Sequence, residues 1–355
     1  MGAVLVMNAG STSVKLAVVG DDGAVSPLAS ADEAPAGIAA VGHRIVHGGE
    51  RFRDPLVLDD AAVESLEGLS ALAPLHNAPA LRIVREARRR FPGVPHVAVF
   101  DTAFHATIPE EASTYAVPRA WRDMGIRRYG FHGLSVEWST ERAAALLGAP
   151  PTRLVVCHIG GGASATAVLD GRSIDTTMGF SPLEGLVMAT RAGSLDPDIP
   201  LHLILRRGLD PKAVEGAINE GGGLLALAGT GDMREVEAAA DSGNAGAAGA
   251  LAVHDHRLAG AVAAMAASLG GLDALVFTGG AGEGSARLRA EAARRLAFLG
   301  VAVDPGRNTG VKPDAEISAP GARVRTLVVG AREEIVIARA VRRTLGSAPT
   351  TRGET

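Results

Sequence analysis

The chain has 355 residues, of which 47% are hydrophobic and 21% charged, and its formal net charge is −4. These values are typical of a folded protein long enough for two domains, and such a charge excludes a bulk electrostatic attraction to nucleic acid or anionic membranes. The single cysteine, Cys157, excludes an internal disulfide and fits a reducing compartment. Since we find neither a signal-peptide pattern nor 18 uninterrupted apolar residues, we expect a cytoplasmic protein without a membrane span.

The first predicted elements occur twice. The apolar run Val4–Asn8 is followed by a Gly/Ser turn, a second run at Val14–Val19 and an Asp-Gly hairpin signal. The run Leu154–Ile159 begins the same series, with a turn at Gly160–Ser164 and a run at Thr166–Leu169 before another Asp-Gly pair. This order predicts two similar domains, each beginning with a β-hairpin and continuing into a further strand.

Helical periodicity alternates with short apolar runs along the rest of the chain. We predict helices over Ala61–Leu72, Ala78–Arg90, Val136–Leu147, Asp198–Arg207, Pro211–Glu220, Ala245–Leu269, Ala286–Leu299 and Glu334–Leu345. We predict further strands over Val97–Phe100, Ala274–Phe277 and Arg325–Val329. This alternation is typical of an α/β fold.

Three Gly-rich segments are candidate phosphate sites: residues 10–13, residues 160–164 and residues 278–284. Turns of Gly and small hydroxyl residues expose backbone N–H groups that can bind phosphate oxygens, and Lys15 adds a cation near the first turn. The third segment lies between a predicted strand and helix, where nucleotides bind in α/β folds. One such turn alone also fits a plain hairpin. Neither a P-loop motif nor the dinucleotide motif GxGxxG occurs.

Polar side chains lie at several predicted element ends. His43 and His47 have the spacing of a zinc pair on a helix, but the flanking Gly and β-branched residues favour a strand and turn. Asp101 follows an apolar run, which fits either a catalytic carboxylate or a capping residue. Together with arginines such as Arg44 and Arg191, these groups and the Gly-rich turns match what phosphoryl transfer requires.

At these residues the sequence resembles the acetate kinase family. Matching segments run in family order over nearly the whole chain: Val6–Lys15, Gly42–Glu50, Ala73–Ala78, Ala98–Pro109, Arg128–Leu134, Cys157–Ala165, Asp175–Pro197, Gly231–Arg234, Val276–Glu283 and Glu333–Arg339. The block Met178–Leu186 is especially specific. The resemblance implies two duplicated actin/sugar-kinase-like (ribonuclease H-like) α/β domains with an ATP cleft between them. We expect an N-terminal domain of residues 1–104 plus 336–355 and a C-terminal nucleotide-binding domain of residues 105–335.

The resemblance implies an acetate kinase, which transfers the γ-phosphoryl of ATP reversibly and in line to acetate, giving acetyl phosphate and ADP. Arg44 and Arg191 would bind the carboxylate and then the moving phosphoryl group. His132 would stabilise the equatorial oxygens of the transition state. Because the acid is already ionised at pH 7, Asp101 would orient the site or act near Mg²⁺ rather than serve as a base.

The resemblance also implies binding residues. Asn8 and Glu333 would help to place Mg²⁺, with Mn²⁺ as an alternative ion. ATP or ADP would be held by Lys15, His158, Gly160, Gly161, Gly162, Asp232, Met233, Arg234, Gly280, Ala281, Gly282, Glu283 and Gly284. A small apolar pocket for the acid would be formed by Val46, Leu75, Phe131 and Pro182. We expect Val46 to favour acetate, with propionate a poorer substrate, since one methylene gives only about 1–3 kcal/mol of discrimination.

The chain departs from the family pattern in two respects. The segment between Lys15 and Arg44 is several tens of residues shorter, which implies a reduced N-terminal domain. Gly161 and Gly284 stand where asparagines are common, which affects nucleotide contacts. Two alternatives therefore stay open: a propionate or short-chain acyl kinase of the same family, and a degenerate ATP-binding module. A homodimer is implied, with no nucleic-acid or membrane partner.

Overall fold

The structure is a computed structural model that describes residues 2–9, 14–68 and 74–346, with backbone alone for residues 74–76. The chain divides into two compact units, Met1–Ala106 with Arg332–Thr355 and Thr107–Ala331. Each unit is built on a mixed six-stranded sheet. Among the described residues, no helix combines the length and apolar character needed to cross a bilayer.

The first sheet opens with the predicted β-hairpin. Its strands are β1 (Val4–Ala9), β2 (Val14–Val19), β3 (Val25–Leu28), β4 (Ala40–Ile45), β5 (Leu56–Val57) and β6 (His96–Phe100). They lie in the order β3-β2-β1-β4-β6-β5. The pairs β1–β2, β2–β3 and β5–β6 are antiparallel, whereas β1–β4 and β4–β6 are parallel.

The second sheet repeats this topology strand for strand. Its strands are β7 (Arg153–Ile159), β8 (Ala163–Leu169), β9 (Arg172–Thr176), β10 (Ala274–Thr278), β11 (Ala315–Glu316) and β12 (Arg325–Val328). Their order is β9-β8-β7-β10-β12-β11, with the same parallel and antiparallel neighbours. The predicted α/β fold and the internal duplication are both confirmed.

Helices complete the two units. In chain order they are α1 (Asp60–Glu67), α2 (Pro74–Arg90), α3 (Glu110–Ser113), α4 (Arg119–Arg122), α5 (Gly133–Leu147), α6 (Asp198–Leu205), α7 (Pro211–Asn219), α8 (Gly223–Ala228), α9 (Met233–Asp241), α10 (Ala245–Ser268), α11 (Gly280–Gly284), α12 (Ala286–Arg295), α13 (Pro305–Asn308) and α14 (Glu333–Gly346). Short 3₁₀ segments cover Ala31–Glu33, Ala103–Thr107 and Ala297–Leu299. Helices α1, α2 and α14 belong to the first unit and α3–α13 to the second.

The strands at the centre of the first sheet are buried along their whole length. All six residues of β1 and of β4 are buried, as expected for strands covered by helices on both faces. Helix α14 packs closely at Gly42, where a Cβ would come within 2.7 Å of the Ile337 side chain. On α2, Leu81 and Val84 join a core cluster with Phe100. This packing fixes the strand ends that carry the polar residues described below.

The predicted helices are confirmed with small shifts at their ends, although residues 69–72 of the first one lie outside the described part. The segment 278–284 was expected to be a Gly-rich loop, but Gly280–Gly284 forms the short helix α11. The Glu283 carboxylate accepts hydrogen bonds from the N–H groups of Gly279 (3.1 Å) and Ala331 (3.0 Å), which holds this turn. These tertiary contacts outweigh the low helix propensity of glycine.

The two units differ most between their third and fourth strands. In the first unit, residues 29–39 connect β3 to β4 with one 3₁₀ turn. In the second, residues 177–273 make the same connection and contain helices α6–α10. The long helix α10 packs on β7, β8 and β9. The second unit therefore carries an additional helical layer, and this layer contributes residues to the cavity described below.

Candidate active site

In the first unit, Arg44 and Asp101 form a buried ion pair at the ends of two neighbouring strands. Since β4 and β6 are parallel, their carboxyl ends lie at the same edge of the sheet. Arg44 Nη2 donates to Asp101 Oδ2 at 2.7 Å, and Nη1 donates to the Ala9 carbonyl at 2.8 Å. Arg44 is 8% exposed and Asp101 0%. Arg44 Nε has no hydrogen-bond partner among the described residues, which leaves one buried donor for a ligand.

The charge of Arg44 is set by its neighbours. Burial opposes that charge, but the carboxylates of Asp101 and Glu333 outweigh it and raise the pKa of Arg44 above its usual value. A guanidinium fixed by one carboxylate and one carbonyl is oriented before any ligand arrives. Asp101 therefore acts on the geometry of Arg44, whichever role it also has toward a substrate.

Asn8, Lys15 and Glu333 lie in the same unit. Asn8 and Lys15 are directly opposite each other in the β1–β2 pair, and Lys15 is exposed. Asn8 Nδ2 donates to Glu333 Oε2 at 2.7 Å. Asn8 Oδ1 and Glu333 Oε1 make no hydrogen bond among the described residues, so two oxygen atoms stay available. Oxygen ligands of this kind suit Mg²⁺, which is usually held by one or two carboxylates together with substrate phosphates.

The two histidines with zinc-like spacing have separate partners. His43 Nε2 lies 2.9 Å from His96 Nδ1, and the two buried rings stack. His47 Nδ1 accepts from the Gly49 N–H at 2.8 Å. They occupy the end of β4 and the following turn, as the neighbouring residues predict. No group of three potential metal-binding side chains occurs in the described part of the chain.

The residues predicted to form the pocket for the acid belong to different units. Val46 follows β4 and is 4% exposed. In the second unit, Phe131 is buried, and the Pro182 carbonyl accepts from Arg191 Nη1 at 3.3 Å. The side chain of Leu75 lies outside the described part of the structure. So do residues 10–13, the first candidate phosphate turn.

In the second unit, the turn Gly160–Gly162 connects β7 to β8 and lies beside two of the predicted catalytic residues. A Cβ built on Gly162 would come within 3.2 Å of His132 Nε2 and 3.3 Å of Arg191 Nη1. Only a residue without a side chain allows both groups to approach the turn so closely. The turn therefore has a basic side chain and an imidazole against its last residue.

His132 is held by a network of polar contacts. It has a left-handed backbone conformation, with φ of 60°, and its Nδ1 lies 3.0 Å from Ser164 Oγ. Its ring stacks on that of His158 with centroids 4.2 Å apart. His158 Nδ1 in turn lies 2.8 Å from Ser135 Oγ. These contacts direct Nε2 of His132 toward Gly162, and they give His158 a role in positioning His132.

The segment that carries Arg191 is fixed by backbone hydrogen bonds. Ala189 N–H donates to the Gly161 carbonyl at 3.1 Å, and Met188 N–H donates to the Arg191 carbonyl at 3.2 Å. Gly223, with φ of +64°, lies against the Met188 carbonyl where no side chain would fit. Burial lowers the pKa of Arg191 below its usual value, which still leaves it positively charged near neutrality.

A cavity of about 620 Å³ lies beside this turn, within the second unit. Eight of the predicted nucleotide residues line it: Gly160, Gly161, Asp232, Met233, Arg234, Gly280, Ala281 and Gly284. Other parts of its wall come from residues to which the sequence analysis assigned no binding role: Ile159, Val187, Met188, Ala189, Leu224, Gly231 and His254. A cavity of this size with mostly apolar walls and Gly-rich turns suits a nucleotide.

The remaining predicted nucleotide residues lie elsewhere. His158 stacks on His132, Gly162 lies against His132 and Arg191, and Lys15 belongs to the first unit. Gly282 is buried, and Glu283 holds backbone N–H groups as described above. None of these five lines the cavity.

Asp232 and Arg234 form a local ion pair at the cavity. Asp232 caps α9 by accepting from the Arg234 N–H at 2.9 Å, and its second oxygen pairs with Arg234 Nη2 at 2.5 Å. The side-chain hydrogen bond from Arg234 is the main reason that the pKa of Asp232 falls to about 2. At Gly161 and Gly284 nothing lies within 4 Å of the position that a Cβ would take, so the asparagines common in the family would fit there.

A further network, which sequence reasoning did not predict, supports the segment around Pro182. The Tyr115 hydroxyl donates to Glu184 Oε2 and accepts from the Phe180 N–H at 3.0 Å. Arg128 Nη2 donates to Glu184 Oε1 at 2.9 Å. A Cβ on Gly179 would collide with both Glu184 and Tyr115. The family resemblance pointed to the block Met178–Leu186, but it did not indicate that Glu184 contacts Tyr115 and Arg128.

Known proteins are similar to this chain over most of its length. The sequence profile of the acetokinase family matches residues 24–339. An acetate kinase of Clavibacter michiganensis subsp. michiganensis is 50% identical over 304 residues, which cover 84% of this chain and 77% of that protein. The structure is similar to a propionate kinase from Francisella tularensis subsp. tularensis SCHU S4, with a TM-score of 0.89, 35% identity and coverage of 96% and 99% of the two chains. Porphyromonas gingivalis acetate kinase gives a TM-score of 0.85 at 34% identity, over 97% and 100%. The chain belongs to the acetokinase family.

Proposed function

We propose that this chain is an acetate kinase, which transfers the γ-phosphoryl of ATP to acetate and back. The observation that carries the proposal is the turn Gly160–Gly162. Gly160 and Gly161 line the cavity, while Gly162 lies against His132 Nε2 and Arg191 Nη1. A nucleotide held in this cavity with its phosphates at the turn would present its last phosphoryl group to these two side chains.

The nucleotide-binding role falls to the second unit. The turn Gly160–Gly162 and the start of α11 at Gly280 expose backbone N–H groups for phosphate oxygens. Asp232 and Arg234 lie on a different part of the wall. We propose that the same cavity binds ATP and ADP.

The acid-binding role falls to Arg44 in the first unit. Its guanidinium is already oriented by Asp101 and the Ala9 carbonyl, and its buried Nε is available to a carboxylate. Val46 limits the space available to the alkyl group. Because a carboxylic acid is ionised at neutral pH, no base is needed to form the nucleophile, and Asp101 is proposed to position Arg44.

In the proposed reaction, a carboxylate oxygen forms a bond to the γ-phosphorus as the bond to the β,γ-bridging oxygen breaks. The electron pair of that bond leaves with ADP, and the acid becomes an acyl phosphate. Arg191 and His132 would neutralise charge on the three equatorial oxygens, where a preorganised cation or donor contributes most. The fixed contacts of His132 with Ser164 and His158 hold its Nε2 in place for this role.

We propose Mg²⁺, or Mn²⁺, as the metal cofactor, held on the protein side by Glu333 and Asn8. When bound, such an ion would neutralise phosphate charge. The free oxygens Glu333 Oε1 and Asn8 Oδ1 are the atoms available to it or to its water ligands. The hydrogen bond between Asn8 and Glu333 orients both side chains.

We also propose that the enzyme forms a homodimer in the cytoplasm, where ATP is available. Helix α6 has the apolar sequence DIPLHLIL but no buried residue. Ile199 and Leu201 are each 50% exposed, and Leu205 is 71% exposed. A second copy of the chain covering this helix would bury them. Sedimentation equilibrium would give the mass of one chain if this part of the proposal were wrong.

Acyl phosphate formation tests the reaction. The enzyme would be incubated with ATP, Mg²⁺ and either acetate or propionate, and the product trapped with hydroxylamine as a hydroxamate. We expect strong signal with acetate, weaker signal with propionate, and none with Arg191→Ala. The variant Val46→Ala should raise the propionate-to-acetate ratio of kcat/KM, by as much as the roughly 10- to 200-fold that one methylene is worth.

Two outcomes would change the conclusion. Higher kcat/KM with propionate than with acetate would assign the propionate kinase activity named for the Francisella relative. Absence of hydroxamate with both acids, while ATP still binds, would mean that the chain is an ATP-binding module without turnover.

A further inference from the structure

A buried polar pair interrupts the Ala-rich helix α10. His254 and Asp255 are 3% and 2% exposed, and they lie between Leu251 and Leu258 on the buried face of the helix. Removing an imidazole and a carboxylate from water costs free energy unless both find partners. Alanine or leucine would fill these positions of the helix without that cost, so the pair calls for an explanation other than packing.

Asp255 is held in its charged form by two neighbours. Arg287 Nη2 donates to Asp255 Oδ2 at 2.7 Å, and His254 Nδ1 lies 3.5 Å from Asp255 Oδ1. Burial opposes the charge, but the contacts with His254 and Arg287 and the positive charge of Arg287 hold the pKa of Asp255 below its usual value. The carboxylate therefore faces Nδ1 of the imidazole as an acceptor.

The orientation of His254 follows from this contact. An imidazole with its Nδ1–H toward a carboxylate has a lone pair on Nε2, which is then a hydrogen-bond acceptor. Within the described residues, Nδ1 of His254 is buried with only the 3.5 Å contact to Asp255, and no hydrogen bond of Nε2 is found. His254 also lines the 620 Å³ cavity, together with Asp232, Gly280 and Gly284. A nearly buried histidine with an acceptor nitrogen that no described residue occupies is thus part of the wall of the cavity.

We infer that His254 recognises the nucleoside part of ATP, with Nε2 accepting a hydrogen bond from a donor of the nucleotide. Asp255 and Arg287 act as positioning residues that fix the ring. The inference rests on the proposed function, since it requires the nucleotide to occupy this cavity. Phosphate oxygens are acceptors and cannot donate to Nε2. The donors that remain are the 6-amino group of adenine and the ribose hydroxyls.

Direct binding titrations with four nucleotides distinguish these donors. They are ATP, purine riboside triphosphate, which lacks the 6-amino group, 2′-deoxy-ATP and 3′-deoxy-ATP. Each would be titrated into the wild type, His254→Phe and His254→Gln in the presence of Mg²⁺. His256→Phe is the matched control, because His256 is exposed on the same helix and does not line the cavity.

We expect the wild type to bind one of the three analogues about tenfold more weakly than ATP, as for loss of one buried hydrogen bond. In His254→Phe the dissociation constant of that analogue, divided by that of ATP, should approach one, because ATP itself loses the same contact. His254→Gln, which retains an acceptor, should restore part of the ratio, and His256→Phe should keep the wild-type value. The analogue for which this ratio falls to about one in His254→Phe lacks the group that donates to His254.

The ratio of dissociation constants separates recognition from packing. If His254→Phe weakened ATP and all three analogues by the same factor, His254 would be a structural residue and the inference would be overturned. Equal binding of all four nucleotides by the wild type would also overturn it. Failure of the wild type to bind ATP would overturn the proposed function itself. If the wild type forms acyl phosphate but His254→Phe keeps the wild-type ratios of analogue to ATP dissociation constants, only the role of His254 would be rejected.

Discussion

Asn8 and Glu333 are joined by a hydrogen bond of 2.7 Å, although 325 positions of the chain separate them. Asn8 lies near the end of β1, and Glu333 is the first residue of α14. A carboxylate at a helix N-terminus is stabilised by the helix dipole, and the amide of Asn8 satisfies one of its oxygens. The pair ties the C-terminal helix to the first strand of the first sheet, and it leaves one carboxylate oxygen for a cation.

Replacing Glu333 should therefore change the metal requirement. We expect Glu333→Gln to raise the Mg²⁺ concentration for half-maximal activity about tenfold, because the neutral amide attracts a divalent cation far less than a carboxylate does. The control is Glu334→Gln, since the carboxylate of Glu334 makes no hydrogen bond with Asn8. Mg²⁺ titrations of hydroxamate formation would measure both. Equal Mg²⁺ dependence of the two variants would rule out Glu333 as a metal-site residue.

The close approach of Gly162 to the side chains of His132 and Arg191, which we propose to be catalytic, gives a second prediction. In Gly162→Ala, the new methyl group would press on His132 Nε2 and Arg191 Nη1, which must move by a few tenths of an ångström. Gly161→Ala adds the same methyl group one residue earlier, where nothing lies within 4 Å. Small misplacements of catalytic groups are costly, so we expect kcat of Gly162→Ala to be about tenfold below that of Gly161→Ala. Similar kcat values for both variants would mean that the turn does not set the positions of His132 and Arg191.

The duplicated fold could be predicted from local sequence because both halves carry the same strand, turn and hairpin signals. The contact between Arg44 and Asp101 could not, since it depends on β4 and β6 being neighbours in the sheet. Local patterns show that each residue follows an apolar run, but strand order is set by long-range packing. The family resemblance indicated that Arg44 and Asp101 are site residues, but it did not predict the ion pair between them that orients Arg44.

The features that the sequence failed to predict have identifiable physical causes. Glycines in 280–284 predict a loop, yet the Glu283 carboxylate and the surrounding backbone stabilise a helical turn there. Helices α8 and α9 were missed because both are short, and in α8 the glycines at its ends also mask the pattern. His254 looked like one more residue of a buried Ala-rich helix, and only the cavity shows that its ring faces open space. Tyr115 and Glu184 are far apart in sequence, so their contact has no local signal.

Tyr115 should support Arg191 through the segment that contains Pro182. Its hydroxyl contacts Glu184 and the Phe180 N–H, and the Pro182 carbonyl accepts from Arg191. We expect Tyr115→Phe to lower the free energy of unfolding by about 1–3 kcal/mol, because a part-buried carboxylate loses a donor. The acetate KM should rise more than kcat falls, as Arg191 loses a fixed neighbour.

Tyr129→Phe is the matched control for this prediction. The Tyr129 hydroxyl donates to the Gly125 carbonyl at 2.8 Å, away from Glu184. Urea unfolding and acetate saturation curves would be measured for both variants. If Tyr129→Phe changed the acetate KM as much as Tyr115→Phe, the effect would reflect general loosening of the unit rather than the network around Glu184.

The buried pair His43–His96 should make the free energy of unfolding depend on pH. Burial, assisted by the positive potential of His96, lowers the pKa of His43 to about 3, compared with about 6.5 in the unfolded chain. The unfolded state therefore binds one more proton than the native state between these values. The contribution of His43 to the free energy of unfolding is fully present above about pH 6.5. It is lost as the pH drops toward 3, by about 1.4 kcal/mol per pH unit. His43 alone should cost about 2 kcal/mol between pH 7 and pH 5.

The variant His43→Gln tests this dependence, since glutamine keeps hydrogen-bonding groups but does not titrate. Free energies of unfolding would be measured with urea at pH 7, 6 and 5, and the slope compared with that of the wild type. The variant should show a slope smaller by about 1.4 kcal/mol per pH unit below pH 6.5, whatever its absolute stability. His256→Gln, at an exposed site, controls for removal of a histidine as such. A slope in His43→Gln equal to that of the wild type would show that His43 is protonated in the native protein, contrary to its burial against His96.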